Sequence, residues 1–342
     1  MNRKRLAAIV LVLLAVAAGG GWMAFISLAD RPLSVTEPRT YEVESGDSIK
    51  SVARDLARDG VIPSARHFEW LARLRGDVHR IHTGEYPLEP GASVGDFIDR
   101  LLKGRVIRYR FTLVEGWNTL QMLQALHSHP KIEATLPVDD MEAVMPALGE
   151  PDRHPEGRFL PDTYTFTRGT RDVAILEQAR AAMRETKAAI WEERQPGLPL
   201  EGPEDMLILA SIIERETGLA SERDTIAGVF IRRLDKGMRL QTDPTIIYGL
   251  LGTDFDGRIR YRHLRDADNP YNTYRHGGLP PTPIAMPGRD AMRAAVNPEA
   301  GDALYFVSRN DGSHHFSATL EEHNRAVAIY QLGKDPEEVG AP

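Results

Sequence analysis

The chain has 342 residues, of which 42% are apolar, and its formal net charge at pH 7 is −7. This length is enough for two packed domains of about 100–200 residues each. The acidic balance argues against a nucleic-acid-binding protein, which usually carries a basic excess. Because the chain has no cysteine, disulfides, thiolate catalysis and cysteine metal sites are excluded. The histidines form no metal-binding motif, since the adjacent His314 and His315 suit one metal poorly. No metal site and no cofactor are therefore predicted.

The N-terminus predicts a single membrane-spanning helix. Residues 1–5 are basic, and residues 6–29 form an uncharged apolar stretch. About 20 apolar residues span a bilayer as a helix, and this stretch is longer than the roughly 7–15 apolar residues of a signal peptide. The basic flank predicts a cytoplasmic tail, with the rest of the chain on the periplasmic side of the inner membrane. The alternative is a cleaved signal peptide, because Ser27-Leu28-Ala29 is a passable cleavage site.

A small α+β module is predicted after the membrane segment. Residues 30–40 contain two prolines and little periodicity, so they predict an extended linker. Within residues 41–104, Tyr41 and Val43 alternate with polar residues as in a strand, and apolar residues of segment 49–56 then recur at helical spacing. Further helical stretches and a short strand complete this module.

Residues 105–334 predict a larger domain of mixed α and β structure. Long apolar periodicity predicts several helices, and a hairpin with a closing helix is predicted near the end of the domain. Segments 239–250 and 269–288 are rich in Tyr, Asn, Thr, Gly and Pro, and they are interpreted as loops of the kind that line functional sites. The tail 335–342 is predicted to be disordered.

Two carboxylates end one of the predicted helices, which starts with Pro203 in its first turn. Glu216 follows Leu209 and Ile212 at helical spacing, so it continues an apolar stripe, and Glu214 lies on the neighbouring face. A glutamate at the end of a buried helix loses hydration, which raises its pKa. Such a group can act as the general acid in glycosidic bond cleavage. The alternative is a solvated helix end that has no catalytic role.

Long segments resemble a known family. Segments 209–250 (LASIIERETGLASERDTIAGVFIRRLDKGMRLQTDPTIIYGL), 271–281 (YNTYRHGGLPP) and 304–324 (LYFVSRNDGSHHFSATLEEHN) resemble the YceG-like family of endolytic murein transglycosylases. Segment 41–53 (YEVESGDSIKSVA) resembles the first strand and helix of a LysM module, a fold that binds N-acetylglucosamine glycans. The alternative for this module is a structural spacer.

The resemblance implies an α+β protein with three parts: an N-terminal transmembrane helix, a small LysM-like α+β subdomain and a mixed α+β catalytic domain. It implies cleavage of the β-1,4 bond between N-acetylmuramic acid and N-acetylglucosamine in peptidoglycan strands. One glutamate acts first as acid and then as base, and the muramyl C6 hydroxyl attacks the anomeric carbon to give a 1,6-anhydro end. The implied role is to end glycan elongation. Peptidoglycan strands, the inner membrane and peptidoglycan synthases are the implied partners, and no nucleic acid is.

The resemblance also implies roles for individual residues. Glu216 is the expected acid, because other lytic transglycosylases place theirs directly before a small hydroxyl residue, as in Glu216-Thr217. Glu214 is the supporting or alternative acid. Tyr271 and Asn272 resemble a Tyr-Asn signature that lies beside the acid, and they are expected to orient Glu216 or the substrate N-acetyl group. The other residues expected to bind substrate are Gln241, Thr242, Asp243, Tyr248 and Thr217. The alternative is a purely structural role, with Asp243-Pro244 as an ordinary turn and Tyr248 in the core.

Two other functions remain open at this level. A muramidase that uses water would need a second carboxylate about 5–10 Å from the first, and Asp243 or Asp162 could supply it. A non-catalytic, membrane-anchored glycan-binding scaffold for the wall-synthesis machinery would tolerate glutamine at both Glu214 and Glu216.

Overall fold

The protein divides into two units. The computed structural model describes residues 3–78, 81–253, 255–335 and 337. By Cα proximity, the first unit is Met1–Tyr109 with Thr165–Thr170, and the second is Arg110–Tyr164 with Arg171–Pro342. Met1 and Asn2 of the predicted cytoplasmic tail lie outside the described residues, and so do 336 and 338–342 of the predicted C-terminal tail.

The first unit is built of helices around a two-stranded sheet. Its elements in chain order are helix α1 (Arg3–Ile26), strand β1 (Arg39–Val43), helices α2 (Ile49–Arg58) and α3 (Ala65–Arg75), strand β2 (Gly84–Leu88) and helix α4 (Val94–Leu102). Strands β1 and β2 are antiparallel, with Arg39 opposite Leu88. Side chains of Ser48, Ser64 and Ser93 accept backbone N–H groups at the starts of α2, α3 and α4, which satisfies donors that a helix start leaves unpaired.

The core of this unit includes part of the predicted linker. Leu56, Phe68 and Phe97 are almost fully enclosed, and Leu33 is 3% exposed in the same core. The Leu33 backbone N–H donates to the Ala92 carbonyl at 2.8 Å. Residues before β1 therefore belong to the packed module, because the apolar side chain of Leu33 has a partner there.

Helix α1 is long and apolar enough to cross a membrane. The candidate span Leu11–Asp30 has a mean hydropathy of 2.1, and Ala29, near its end, is its one buried residue. Exposed large apolar side chains along it include Leu13, Leu14 and Val16. A helix of this length and composition fits a single-pass membrane anchor.

The second unit is mainly helical. The elements from residue 109 onward are β3 (Tyr109–Thr112), α5 (Thr119–Ser128), β4 (Ile132–Glu133), α6 (Val144–Ala147), β5 (Thr163–Phe166), β6 (Thr170–Arg171), α7 (Asp172–Glu192), α8 (Pro203–Glu216), α9 (Arg223–Asp235), α10 (Asp243–Gly249), α11 (Tyr261–Arg265), α12 (Arg289–Val296), β7 (Tyr305–Ser308), β8 (His314–Ser317) and α13 (Leu320–Tyr330). The antiparallel hairpin β7–β8 and helix α13 correspond to the predicted hairpin and closing helix.

Helix α8 is the central element of the second unit. Every residue from Met206 to Ile213 is buried, and the helix contacts α7, α9, α10 and α12. Pro203 stands in its first turn, where the missing N–H is not needed. The helix ends at Glu216, and Thr217 has an extended backbone. The sequence pattern therefore predicted this helix and its end correctly.

The segment predicted as a loop at 239–250 contains helix α10. Pro244 stands in its first turn, and Thr245, Ile246 and Tyr248 are buried. Packing of this short face stabilises a helix despite the loop-like composition. Directly before it, Gln241 has a φ of 52°, a left-handed conformation that is uncommon for residues other than glycine. This turn directs the chain from Leu240 into α10.

Candidate active site

A cavity of about 450 Å³ opens at the end of helix α8. This volume lies within the range of about 300–1,000 Å³ that is usual for ligand sites. Its walls come from the end of α8, helix α9, the start of α10, the 269–288 loop, the β7–β8 hairpin and α13. The lining residues are Glu216, Arg233, Leu240, Gln241, Asp243, Tyr274, Tyr305, Phe306, Val307, Ser308, His314, Leu320 and His323.

Glu216 is held in this cavity by a hydrogen bond from Thr242. The Thr242 hydroxyl donates to Oε1 of Glu216, and Thr242 itself is 2% exposed. Burial raises the pKa of Glu216 to about 7, and the charge of Asp243 acts in the same direction. The Thr242 hydrogen bond, His314 and Arg233 lower the pKa and offset part of this shift. Glu216 can therefore carry a proton near neutral pH.

Asp243 and Tyr274 form the neighbouring wall of the cavity. The Tyr274 hydroxyl donates to Oδ1 of Asp243 at 2.8 Å. Burial, and next the charge of Asp243, raise the pKa of Tyr274, so its hydroxyl remains a hydrogen-bond donor. This pair places a second carboxylate next to Glu216, on the residue that follows Thr242.

Two basic side chains form another wall. Arg233 is 7% exposed, donates to the carbonyl oxygens of Leu240 at 2.7 Å and Leu304 at 2.6 Å, and lies over the Tyr305 ring at 5.1 Å. Nδ1 of His314 is 2.7 Å from Oε2 of Glu222. These contacts fix both groups beside Glu216, where a cation stabilises the carboxylate form.

Glu214 lies outside the cavity lining. Its Oε2 accepts the Gly288 backbone N–H at 2.9 Å, and its Oε1 is 3.7 Å from Nη2 of Arg223. The side chain is 7% exposed, and burial raises its pKa. These contacts connect the end of α8 with the start of α12 through Gly288 and with the start of α9 through Arg223.

Several expected substrate-binding residues lie in the surrounding structure instead. Asn272 is fully buried, and its amide donates to the carbonyl oxygens of His263 at 2.9 Å and Asp266 at 2.6 Å. The Tyr271 hydroxyl bonds Thr282 at 2.8 Å, and its ring lies 4.8 Å from that of Tyr248. In the described residues neither Tyr271 nor Asn272 has a hydrogen bond to Glu216. Their polar partners explain this, since the Asn272 bonds hold the loop to the end of helix α11 and the Tyr271 bond closes the loop on itself.

Tyr248 and Thr217 also have local partners. Burial and the charge of Glu156 raise the pKa of Tyr248, which lies beside a smaller cavity of about 160 Å³. The Thr217 hydroxyl accepts the Leu219 backbone N–H at 2.9 Å, which forms a turn directly after α8. Of the residues expected from the sequence, the structure therefore brings Glu216, Gln241, Thr242 and Asp243 together.

Sequence reasoning missed the other half of the cavity. Tyr274 is the second tyrosine of the quoted YNTY segment, so attention to Tyr271 and Asn272 passed over it. Arg233 follows Ile226 and Val229 on a buried face of α9, and a basic residue in such an apolar stripe was an available signal. The two histidines of the wall, His314 and His323, are far from Glu216 in sequence. Their positions in the sequence gave no signal that they line the same cavity.

Comparison with known proteins identifies the family. The YceG-like family matches residues 41–329 of the chain. A relative from Bacillus subtilis (strain 168), named endolytic murein transglycosylase, is 30% identical over 93% of this chain and 92% of its own length. The chain belongs to the YceG-like family. The YceG-like match covers every residue that lines the cavity around Glu216, whereas helix α1 lies outside it.

Further YceG-like comparisons agree with this assignment. A Streptococcus pneumoniae protein (strain D39), also named endolytic murein transglycosylase, is 25% identical over 95% of this chain, which spans 65% of that relative's length. The crystal structure of a YceG-like protein from Listeria monocytogenes is 30% identical and superposes with a TM-score of 0.51. It covers 85% of this chain and 100% of the crystallised one.

Proposed function

We propose that this YceG-like chain is a membrane-anchored endolytic lytic transglycosylase, an enzyme that cleaves peptidoglycan as a lyase. The observation that carries the proposal is Glu216, a carboxyl with a pKa of about 7 in a cavity at the end of a buried helix. The relatives named endolytic murein transglycosylase support the substrate and the reaction class. The bond cleaved is the β-1,4 bond between N-acetylmuramic acid and N-acetylglucosamine.

In the first step, Glu216 acts as the general acid. Its proton goes to the glycosidic oxygen as the bond from that oxygen to the muramyl anomeric carbon breaks. The departing sugar oxygen needs this proton, because an alkoxide is a poor leaving group. His314 and Arg233 favour the carboxylate that Glu216 becomes, so charge that develops on it in this step is stabilised.

In the second step, Glu216 acts as the general base. It accepts the proton of the muramyl C6 hydroxyl as that oxygen bonds to the anomeric carbon, which leaves a 1,6-anhydro end. No water is consumed, and Glu216 returns to its protonated form. The Thr242 hydroxyl orients the carboxylate through both steps. Gln241 and Asp243 line the cavity and bind the sugar. The structure around the cavity is stabilised by Tyr248, Tyr271, Asn272 and Thr217.

A muramidase is the second candidate, and Asp243 is the observation that favours it. Asp243 lines the same cavity as Glu216, as the second carboxylate of a hydrolase would. Asp162, the other carboxylate considered, is 3.1 Å from Arg289 and is absent from the lining of this cavity. In the hydrolase, Asp243 would activate water or form a covalent intermediate, and the product would be a reducing end.

The mass of the product separates the two reactions and also tests for a scaffold. The detergent-solubilised chain is incubated with uncrosslinked glycan strands, and the fragments are analysed by mass spectrometry. Internal fragments with 1,6-anhydro ends support the transglycosylase. Ends heavier by one water indicate the muramidase, and intact strands indicate a non-catalytic scaffold.

In this proposal the reaction takes place at the periplasmic face of the inner membrane. Helix α1 crosses the bilayer with the basic N-terminus in the cytoplasm, and the remainder of the chain lies in the periplasm. At this location the enzyme meets nascent strands beside the peptidoglycan synthases, and its cuts end their elongation. Membrane fractions should contain the protein with its original N-terminus. Recovery of a mature chain that begins at Asp30 would indicate a signal peptide instead.

In this proposal, residues 41–104 of the first unit form a LysM-like subdomain that binds glycan. The order β1–α2–α3–β2 with antiparallel strands supports this interpretation, and helix α4 is an addition to it. Glycan chains of defined length provide the test, by titration against the full chain with Glu216→Gln so that cleavage does not consume the ligand. Two binding sites per chain are expected, one in the catalytic cavity and one on the subdomain, and a single site would contradict glycan binding by the subdomain.

A further inference from the structure

Helix α3 has a second apolar face that the first unit does not bury. Its buried side chains are Phe68, Leu71 and Ala72. Trp70 and Leu74 are each 53% exposed, and at 3.6 residues per turn they fall on the opposite side of the helix. Large exposed apolar groups that lie together on one surface mark a contact with another molecule or with a membrane.

This face lies beside the end of the membrane helix. Trp22 stacks on Phe25 with ring centroids 6.2 Å apart, and Phe25 contacts His67 of α3 edge-on at 5.9 Å. A groove of about 520 Å³ runs between the two helices, and it is bordered by Trp22 and Phe25 of α1 and by Trp70 and Leu74 of α3. A side chain that contacts a turn of a membrane helix lies at the depth of that turn.

Trp22 marks this depth as the outer edge of the membrane. Phe25 packs against the core of the first unit and Ala29 is buried in it, so the membrane-embedded part of α1 ends before Phe25. Counted from Leu6, the first uncharged residue, Trp22 then ends a stretch of about 17 residues, the shortest length that spans the hydrocarbon core. Tryptophan is enriched where the acyl chains meet the headgroups. Trp70 and Trp22 therefore border one groove at the level where both indole rings are favoured.

Basic side chains flank the exposed face. Arg66 borders the groove, and no carboxylate lies within salt-bridge distance of it in the described part of the chain. The Arg73 guanidinium is 6.0 Å from the centroid of the Trp70 ring and 2.6 Å from Glu69. Arginine on the rim of an apolar helix face pairs with lipid phosphates while its stem lies on the acyl region.

We infer that helix α3 lies in the lipid–water interface of the outer leaflet, with Trp70 and Leu74 towards the acyl chains and Arg66 and Arg73 at anionic headgroups. This inference rests on the proposed membrane anchor. The occupant is lipid, because the groove continues from the membrane helix itself and its rim is basic. The contact holds the LysM-like subdomain against the bilayer, so this subdomain has a fixed height above the membrane.

The absence of cysteine makes a spin-label experiment direct. The full chain carries one label at Leu74→Cys, in nanodiscs of phosphatidylethanolamine and phosphatidylglycerol. Collisions with oxygen, which concentrates in lipid, are compared with those of a water-soluble nickel chelate. Arg54→Cys is the matched control, because Arg54 is exposed on the neighbouring helix α2 and outside the groove. Leu14→Cys reports separately whether α1 is in the bilayer.

The inference predicts an oxygen-to-nickel ratio at Leu74 that is several-fold above that at Arg54. A Leu74 label as water-exposed as the Arg54 label would overturn it, and so would a label shielded from both reagents, which indicates a protein partner. If the Leu14 label is also in water, the proposed anchor itself fails. If only the Leu74 label is in water, the anchor stands and the interfacial contact is wrong.

Tryptophan quenching gives a second measurement that needs no label. Brominated lipids quench indole fluorescence in the bilayer, so Trp70→Phe should lower the quenched fraction of the full chain. Trp191→Phe, in helix α7 of the second unit, is the control and should not lower it. Equal quenched fractions in the parent and in Trp70→Phe would overturn the inference even if the Leu74 label had perturbed the helix.

Discussion

The Thr242 hydroxyl donates a hydrogen bond to the carboxylate of Glu216, and this contact connects the last residue of α8 to the residue before α10. This hydrogen bond opposes the effect of burial on the pKa of Glu216. Burial favours the protonated carboxyl, whereas the Thr242 donor favours the ionised one. The balance gives a pKa of about 7, which suits a group that must first give and then accept a proton.

Removal of this donor should shift the pH profile of cleavage. Thr242→Val keeps the shape of the side chain and removes the hydroxyl, so the pKa of Glu216 rises further. The acid form then persists to higher pH, and we expect the alkaline limb of kcat/KM to move up by about one pH unit. Thr242→Ser keeps the donor and should retain the parental limb. A limb that stays in place in Thr242→Val would show that Glu216 does not set it.

The variant Glu216→Gln tests the acid itself. Glutamine keeps the size of the side chain but cannot give the proton. General acid catalysis contributes about 10²–10⁴-fold, so cleavage of uncrosslinked glycan should fall at least about a hundredfold, while glycan binding and the fold are kept. Glu177→Gln, at an exposed position of α7, is the matched control and should cleave at the parental rate. Parental cleavage by Glu216→Gln would exclude the single-acid mechanism.

The same substitution should stabilise the protein at alkaline pH. The pKa of Glu216 is raised from 4.5 to about 7 in the folded state, so folding favours the protonated form. The contribution of protonated Glu216 to folding stability is fully present below the unfolded pKa of about 4.5. It is lost as the pH rises towards 7, the pKa in the folded state. Glu216→Gln does not titrate. Its gain in the free energy of unfolding over the parent should therefore grow by about 3 kcal/mol between pH 4 and pH 8.

Thermal unfolding of both proteins at the two pH values measures this difference. Other buried carboxyls, such as Glu156, whose pKa is also raised to about 7, titrate equally in parent and variant and cancel. An equal gain at pH 4 and pH 8 would mean that the pKa of Glu216 is the same in the folded and unfolded states.

The sequence predicted the parts of this site that are local. The helical spacing of Leu209, Ile212 and Glu216 depends only on residues within two turns, and α8 ends at Glu216 as that spacing indicates. The adjacent turn of Gln241, Thr242 and Asp243 also lines or supports the cavity, as the family resemblance implied.

The parts that depend on distant packing could not be predicted. His314 reaches the cavity through the β7–β8 hairpin, and its position is set by Glu222, which is 92 residues away in sequence. Conversely, Asn272 stands in a motif that suggested substrate contact, but its amide donates to three backbone carbonyl groups at the end of helix α11. Spacing along the chain cannot show which partner a polar side chain finds.

Replacement of Glu214 by glutamine should reduce the cleavage rate far less than the same replacement of Glu216. Its carboxylate accepts the Gly288 N–H, and glutamine can keep this bond, so Glu214→Gln should cleave within a few-fold of the parental rate. Glu214→Ala leaves the Gly288 donor without this acceptor, which typically costs about 1–3 kcal/mol of stability. Kinetics and thermal unfolding separate the two effects. An inactive, stably folded Glu214→Gln would identify Glu214 as the acid instead.

Asp243→Asn separates the transglycosylase from the muramidase. Asparagine keeps an acceptor for the Tyr274 hydroxyl, whose bond to Asp243 is 2.8 Å long, but it removes the charge that raises the pKa of Glu216. In the transglycosylase, the alkaline limb of kcat/KM should therefore move to lower pH, and the products should keep their 1,6-anhydro ends. In a muramidase, Asp243 would be the second catalytic carboxylate, so the variant would lose about two or more orders of magnitude in rate at every pH. The pH profile and the product masses of one variant thus decide between a carboxylate that tunes Glu216 and one that takes part in the chemistry.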